Sequence, residues 1–151
     1  MKYALWTLSV LYSSTAFTAD FNQQKSHCLD AANIVKNQNY GAFLQLIPEQ
    51  IRGKEGAIKR LVDKQNDKYT KSRYAGINNF LIEDYELVEN PENHRSRTVR
   101  NSFQKWQTTQ VLKVNYKFDT TVVRTNKQQS VRGYCLFAFI NDEWYMTNLL
   151  R

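Results

Sequence analysis

Residues 134–140 read Tyr-Cys-Leu-Phe-Ala-Phe-Ile, seven consecutive apolar residues. A stretch that length suits a strand, and an unbroken apolar strand is one buried on both faces of a sheet. A sheet containing such a strand must be covered twice. Something other than its first layer of helices has to lie on the second face: a pocket, a partner subunit or another helix. A homodimer would be one way to supply that cover.

The rest of the chain divides into two halves by period. Residues 21–37 place Cys28, Ala31, Ala32 and Val35 at helical spacing. Asn37-Gln38-Asn39-Tyr40-Gly41 interrupts that helix, and a short second helix is predicted over 42–47, ending before Pro48. Residues 54–72 predict a third, with Ile58, Leu61, Val62 and Tyr69 as its apolar stripe. From Ile77 onward the period changes to two. Strands are predicted over 80–88, once or twice within 97–123, over 134–140 and over 144–150. Trp106, Leu112, Val114, Tyr116 and Phe118 share one parity and form the apolar face of the long middle segment. Helices followed by a run of antiparallel strands define an α+β fold, with N-terminal helices on a curved sheet of about four to five strands.

The N-terminus carries Lys2, an apolar stretch over residues 3–12, and Ser13-Ser14-Thr15-Ala16. That is the grammar of a signal peptide cut after Ala16, leaving a single domain over 17–151 in the periplasm or outside the cell. About ten apolar residues do not span a ~30 Å bilayer core, so no membrane-spanning segment is expected. Cys28 and Cys135 remain after cleavage. In an oxidising compartment they form one disulfide, or else they stay as two buried thiols.

Asn39-Tyr40-Gly41-Ala42-Phe43-Leu44, then Gly53-Lys54-Glu55-Gly56-Ala57-Ile58 with Gly76-Ile77, and finally the terminal hairpin through Asn141-Asp142-Glu143-Trp144-Tyr145 occur in that order. In this the chain resembles the nuclear transport factor 2-like superfamily of cone-shaped α+β domains, and within it small exported bacterial members. The resemblance implies helices against a curved sheet. The superfamily holds enzymes, carriers and interaction modules alike, so it implies no single activity. Residues 92–105 are longer and more basic than that pattern, as an extra strand or a specialised loop would be.

Enzymes on such a cone place an acid–base residue inside it. The candidates are Asp84, Asp119, Glu143, His27 and His94. His94 lies in a polar turn and reads as solvated, and His27 sits beside Lys25 and Ser26 on a helix side expected to be exposed. Asp84 shares the parity of Phe80 and Ile82, so it faces the interior unless the strand end twists it into water. No pair has a spacing that demands catalysis. No nucleophile elbow, phosphate loop or dinucleotide motif occurs. The sequence calls for no cofactor, and His27 next to Cys28 gives too few ligands for a metal. A non-enzymatic binding domain is the expectation.

Formal charge is +7, and between His94 and Arg132 nine Lys/Arg face a single acid, Asp119. Arg95, Arg97, Arg100, Lys105, Lys113 and Lys117 are the candidate contacts for a partner or anion. Lys105, Lys113 and Lys117 share a parity that would stripe one strand face. An acidic protein fits an exported chain, and nucleic acid does not. A solvated, lysine-blunted sheet is the plainer account of the same charges. Trp106, Tyr116, Tyr134 and Trp144 are the candidate lining of a pocket for a small apolar or anionic ligand. A protein-interaction module, an immunity-type inhibitor of a delivered toxin among such modules, is the leading expectation. A ligand carrier or sensor comes second, and an isomerase- or dehydratase-like enzyme using Asp84 third.

Overall fold

The apolar run predicted to be buried twice lies in the longest strand of the sheet. A computed structural model describes residues 20–92 and 94–151; the signal peptide expected over 1–16 lies outside them. Helices α1 (Asn22–Asn37), α2 (Tyr40–Leu46), α3 (Glu49–Arg52) and α4 (Glu55–Asp67) come first. Strand β1 (Asn78–Val88), helix α5 (Arg97–Trp106) and strands β2 (Val111–Val122), β3 (Lys127–Ile140) and β4 (Glu143–Met146) follow. The strands form one antiparallel open sheet in the order β1-β2-β3-β4. The fold is α+β, as its period change predicts.

Each break between elements has a local cause. At the end of α1, Gln38 turns left-handed, and Asn39 then accepts the Ala42 N–H at 3.0 Å to start α2. At the β3–β4 hairpin Asn141 and Asp142 both have positive φ, the two-residue turn that matches strand twist. Helix α4 runs on into a π-helical turn over Lys68–Ser72, completing the predicted third helix.

Alternation along β2 and β3 splits the core in two. Leu112, Val114, Tyr116 and Phe118 face the helices together with Cys135 and Phe137. Against them α1 lays Cys28, Ala31, Ala32 and Val35, and α4 lays Ile58 and Val62. The two alanines let α1 approach the sheet closely enough for a Cys28–Cys135 disulfide, with Cα atoms 5.9 Å apart. Of the two readings open from sequence, the bonded one holds. Helices α1 and α4 are further locked by Asn66, a buried side chain whose amide donates to Val35 O at 2.8 Å and Lys36 O at 3.3 Å. An N66A variant is expected to lose about 1–3 kcal/mol in urea unfolding, because those carbonyls would stay buried without a donor. A variant matching the parent would mean that water reaches them.

On the other face of β3 the run presents Leu136 and Ala138, and α5 packs over Leu136. Val99 and Phe103 of α5 pack with Val88, Val111 and Leu136 in a second apolar cluster, with half-buried Tyr134 at its edge. Full burial of such side chains stabilises by about 1.5–3 kcal/mol each. A helix therefore supplies the second cover of the sheet.

Residues 97–106 form a helix, neither the extra strand nor the specialised loop expected over 92–105, and the strand within 97–123 begins only at Val111. Ser96 accepts the Val99 N–H at 3.4 Å as an N-cap, and Gln107 closes the helix in the left-handed region. Val99, Phe103 and Trp106 repeat at helical spacing. Trp106 consequently leaves the apolar face of β2, and Lys105 leaves the proposed strand stripe. The last predicted strand also stops early. Beyond Met146 the chain stays tied to β3 by Thr147 N–H to Leu136 O, Arg151 N–H to Tyr134 O and Tyr134 N–H to Arg151 O.

Candidate functional site

The helix-facing side of the sheet is where a cone pocket would lie, and it is filled by packed side chains. Tyr116, Phe118 and Phe137 have no exposed surface, and Tyr69 and Tyr74 pack edge-on to Phe118 at 5.6 and 5.8 Å. Tyr116 donates to Arg151 O at 3.2 Å, with its oxygen 3.5 Å from that of Tyr69. Burial, and secondarily the Tyr69 phenol, pushes the Tyr116 phenol well above its ordinary range. It is a neutral core residue.

The four predicted pocket aromatics do not meet. Tyr134 lies on the α5 side with Lys113 over its ring at 5.5 Å. Trp144 packs edge-on to Phe21 at 5.7 Å and beside Phe139 at 5.1 Å. Trp106 sits at the C-terminal end of α5. Alternation puts residues two apart on one face, but these four come from a helix and both faces of the sheet.

The acid–base candidates are dispersed as well. A register break between Ile82 and Asp84 turns Asp84 to the outer face, where it is exposed and accepts from Asn115. The parity argument for an interior Asp84 fails at that bulge. Hydrogen bonds from Ser130 and Asn79 hold the Asp119 carboxyl below the usual carboxylate range at the exposed hairpin end. Glu143 is exposed and accepts from the Tyr145 hydroxyl. His27 is half-buried on α1 rather than exposed. His94 is not a solvated loop residue: its side chain is 12% exposed. Ser96 N–H donates to its Nδ1 at 3.1 Å, which assigns the proton to Nε2, 3.3 Å from Glu86 Oε1. The polar turn around His94 folds back over β1. Among the described residues no three His, Cys, Asp or Glu side chains gather to hold a metal ion.

Three of the nine cations of the basic segment are matched across strands. Lys113 lies 3.5 Å from Glu86, Lys117 lies 3.9 Å from Glu83, and Arg132 makes a two-pronged contact with Glu83. The lysine stripe is one side of an ion-pair ladder whose acids come from β1. Arg100 clamps the turn before α5, donating to His94 O and Arg95 O. Arg95 is exposed beside it.

Arg97 and Lys105 stand apart from that ladder. Among the described residues neither has a carboxylate within ion-pair distance. Both line a cleft of about 700 Å³ between α5 and residues 147–151, on the outer face of β3. One wall is Arg97, Asn101 and Lys105, the other holds Thr147, Asn148 and Arg151, and Trp106 and Leu136 complete it. No Asp or Glu side chain lines it. Asn148 shapes its wall by bridging β3, accepting Leu136 N–H and donating to Tyr134 O. Sequence reasoning named Arg97, Lys105 and Trp106. It missed Asn101 and the whole second wall, although Ser96 as a cap and the 99–103–106 spacing were signals for the helix.

An α+β domain with a filled helix-facing core and a basic cleft on its outer face is thus the class defined here. No protein-family model matches the chain, and no curated protein matches it.

Proposed function

We propose that this chain is an exported, non-enzymatic binding domain, a protein-interaction module that works through the outer face of its sheet. The observation that carries the reading is the cleft beside α5, where Arg97, Lys105 and Arg151 converge with no Asp or Glu side chain among them. The disulfide favours an oxidising compartment, and the leader-like residues 1–16 agree with export. No described helix is long and apolar enough to cross a membrane. Helices first and an antiparallel meander after them support membership of the nuclear transport factor 2-like superfamily, with α5 as an added cover on the sheet. An immunity-type inhibitor of a delivered toxin is the role that best combines export, small size and a charged recognition face. A carrier acting through a cone pocket is disfavoured by the aromatic packing at Tyr116 and Phe118.

The test is native mass spectrometry of the protein drawn gently from its own envelope fraction, beside the double variant R97E/K105E. A second protein bound in fixed ratio is expected, with at least tenfold less of it on the variant. Equal occupancy on both would overturn the assignment of this face. A retained mass of a few hundred daltons, with no protein, would overturn the interaction reading in favour of a small ligand.

A further inference from the structure

The cleft has a shape and a charge spacing, and these specify its occupant more closely. Arg97, Asn101 and Lys105 recur at intervals of four, so they stand on one side of α5 and form a continuous wall. At 1.5 Å rise per residue the backbone positions of Arg97 and Lys105 lie roughly 12 Å apart along the helix axis. An extended peptide advances about 3.3 Å per residue, so acidic side chains four positions apart sit on the same side about 13 Å from one another. Between them one alternate side chain faces the cleft, at the level of Asn101. The Lys105 ammonium lies over the Trp106 ring at 4.7 Å, so a carboxylate meets charge and apolar surface together at that end. A volume near 700 Å³ falls within the roughly 300–1,000 Å³ of ligand-binding clefts.

Resting on the reading of this face as the working surface, we propose that the cleft receives an extended acidic segment of a partner protein. Two carboxylates four residues apart pair with Arg97 and Lys105, and the side chain between them faces Asn101. A polyanion such as nucleic acid is bound by a continuous run of uncompensated cations. Here Lys113, Lys117 and Arg132 are already matched by Glu83 and Glu86, which leaves discrete charges at the ends of a groove.

The experiment is selection of a random decapeptide display library on the disulfide-intact chain, followed by titration of the enriched peptides. Enrichment of Asp or Glu at positions i and i+4 is expected. R97E and K105E, each checked for an unchanged melting temperature, should each weaken the selected peptide at least tenfold. Moving the two acids to adjacent positions should weaken it to a similar degree. Three outcomes would overturn the proposal: no acidic pair enriched, adjacent acids binding equally well, or inorganic polyphosphate binding the cleft as tightly as the peptide. If the envelope partner is lost from R97E/K105E while the library returns no acidic pair, the acidic-segment inference falls and the assignment of the face stands. If that partner is retained by the double variant, the assignment of the face itself falls.

Discussion

A C28A/C135A variant is expected to unfold with about 4–5 kcal/mol less stability than the parent. The bond joins α1 to β3 across a sequence separation of 107 residues, and closing a loop of that size removes this much chain entropy from the denatured ensemble. Both cysteines are fully buried, so the loss of two sulfur atoms from the α1–sheet contact adds to the cost rather than offsetting it. For a domain of this size the melting temperature should drop by about 10–20 °C. Urea unfolding monitored by circular dichroism reads the effect directly. The slope of the transition should steepen, because the uncrosslinked denatured chain exposes more surface. Reductant should lower the midpoint of the parent and leave that of the variant unchanged. A loss below about 1 kcal/mol would show that α1 stays docked on the sheet in the denatured ensemble without the bond.

The chain's periodicity made the layers legible and left the partners across them hidden. Residues 134–140 announced a doubly covered strand because burial on both faces leaves no polar position to interrupt the run. Which of the three covers lay there stayed open, and the helix that supplies it was not recognised in residues 97–106. The alternation that belongs to β2 was carried backward through Trp106, into a segment where Val99, Ser102 and Phe103 are the buried positions. Half of these ten residues are charged or amide and give no clean alternation for a strand, whereas at helical spacing the segment is strongly amphipathic. Ser96 as N-cap was the clue that separates them.

Charge misled for a related reason. Nine cations against one acid is a statement about a window of sequence, and a sheet neutralises charge at right angles to the chain. Lys113 and Lys117 meet Glu86 and Glu83 because β1 pairs with β2 in a register that has Glu86 opposite Lys113. The irregularity in that register between Ile82 and Asp84 also moved Asp84 to the outer face, away from Phe80 and Ile82. One displaced residue reverses every facing argument beyond it. Arg97, Lys105 and Trp106 were visible as residue types, but their grouping was not. The wall formed by Thr147, Asn148 and Arg151 depends on a chain end that leaves the strand conformation after Met146 and stays tied to β3 partly through an Asn148 side chain.

Gly133 shows the same dependence on cross-strand register, and its replacement should have the second largest effect. It lies opposite Tyr116 in the β2–β3 ladder, and Tyr116 lays its phenol across the space where a side chain would be. A Cβ built at position 133 falls 2.4 Å from the Tyr116 hydroxyl oxygen, 2.6 Å from Cζ and 2.2 Å from Arg151 O. The ring cannot step aside cheaply. It stacks on Phe80 with centroids 4.6 Å apart, has no exposed surface, and is held by its hydrogen bond to Arg151 O. Overpacking of this kind costs about 1–3 kcal/mol. G133A should fall at the upper end of that range, because backbone as well as side chain must move. A thermal melt should show a decrease of about 10 °C, and the tie between Arg151 and Tyr134 should show faster amide exchange. Combining G133A with Y116L should recover about 1–2 kcal/mol relative to additivity, since removing the ring relieves two of the three clashes. The contact with Arg151 O survives that change, so recovery should stay incomplete. Full additivity would mean that the glycine is set by the path of residues 147–151 alone.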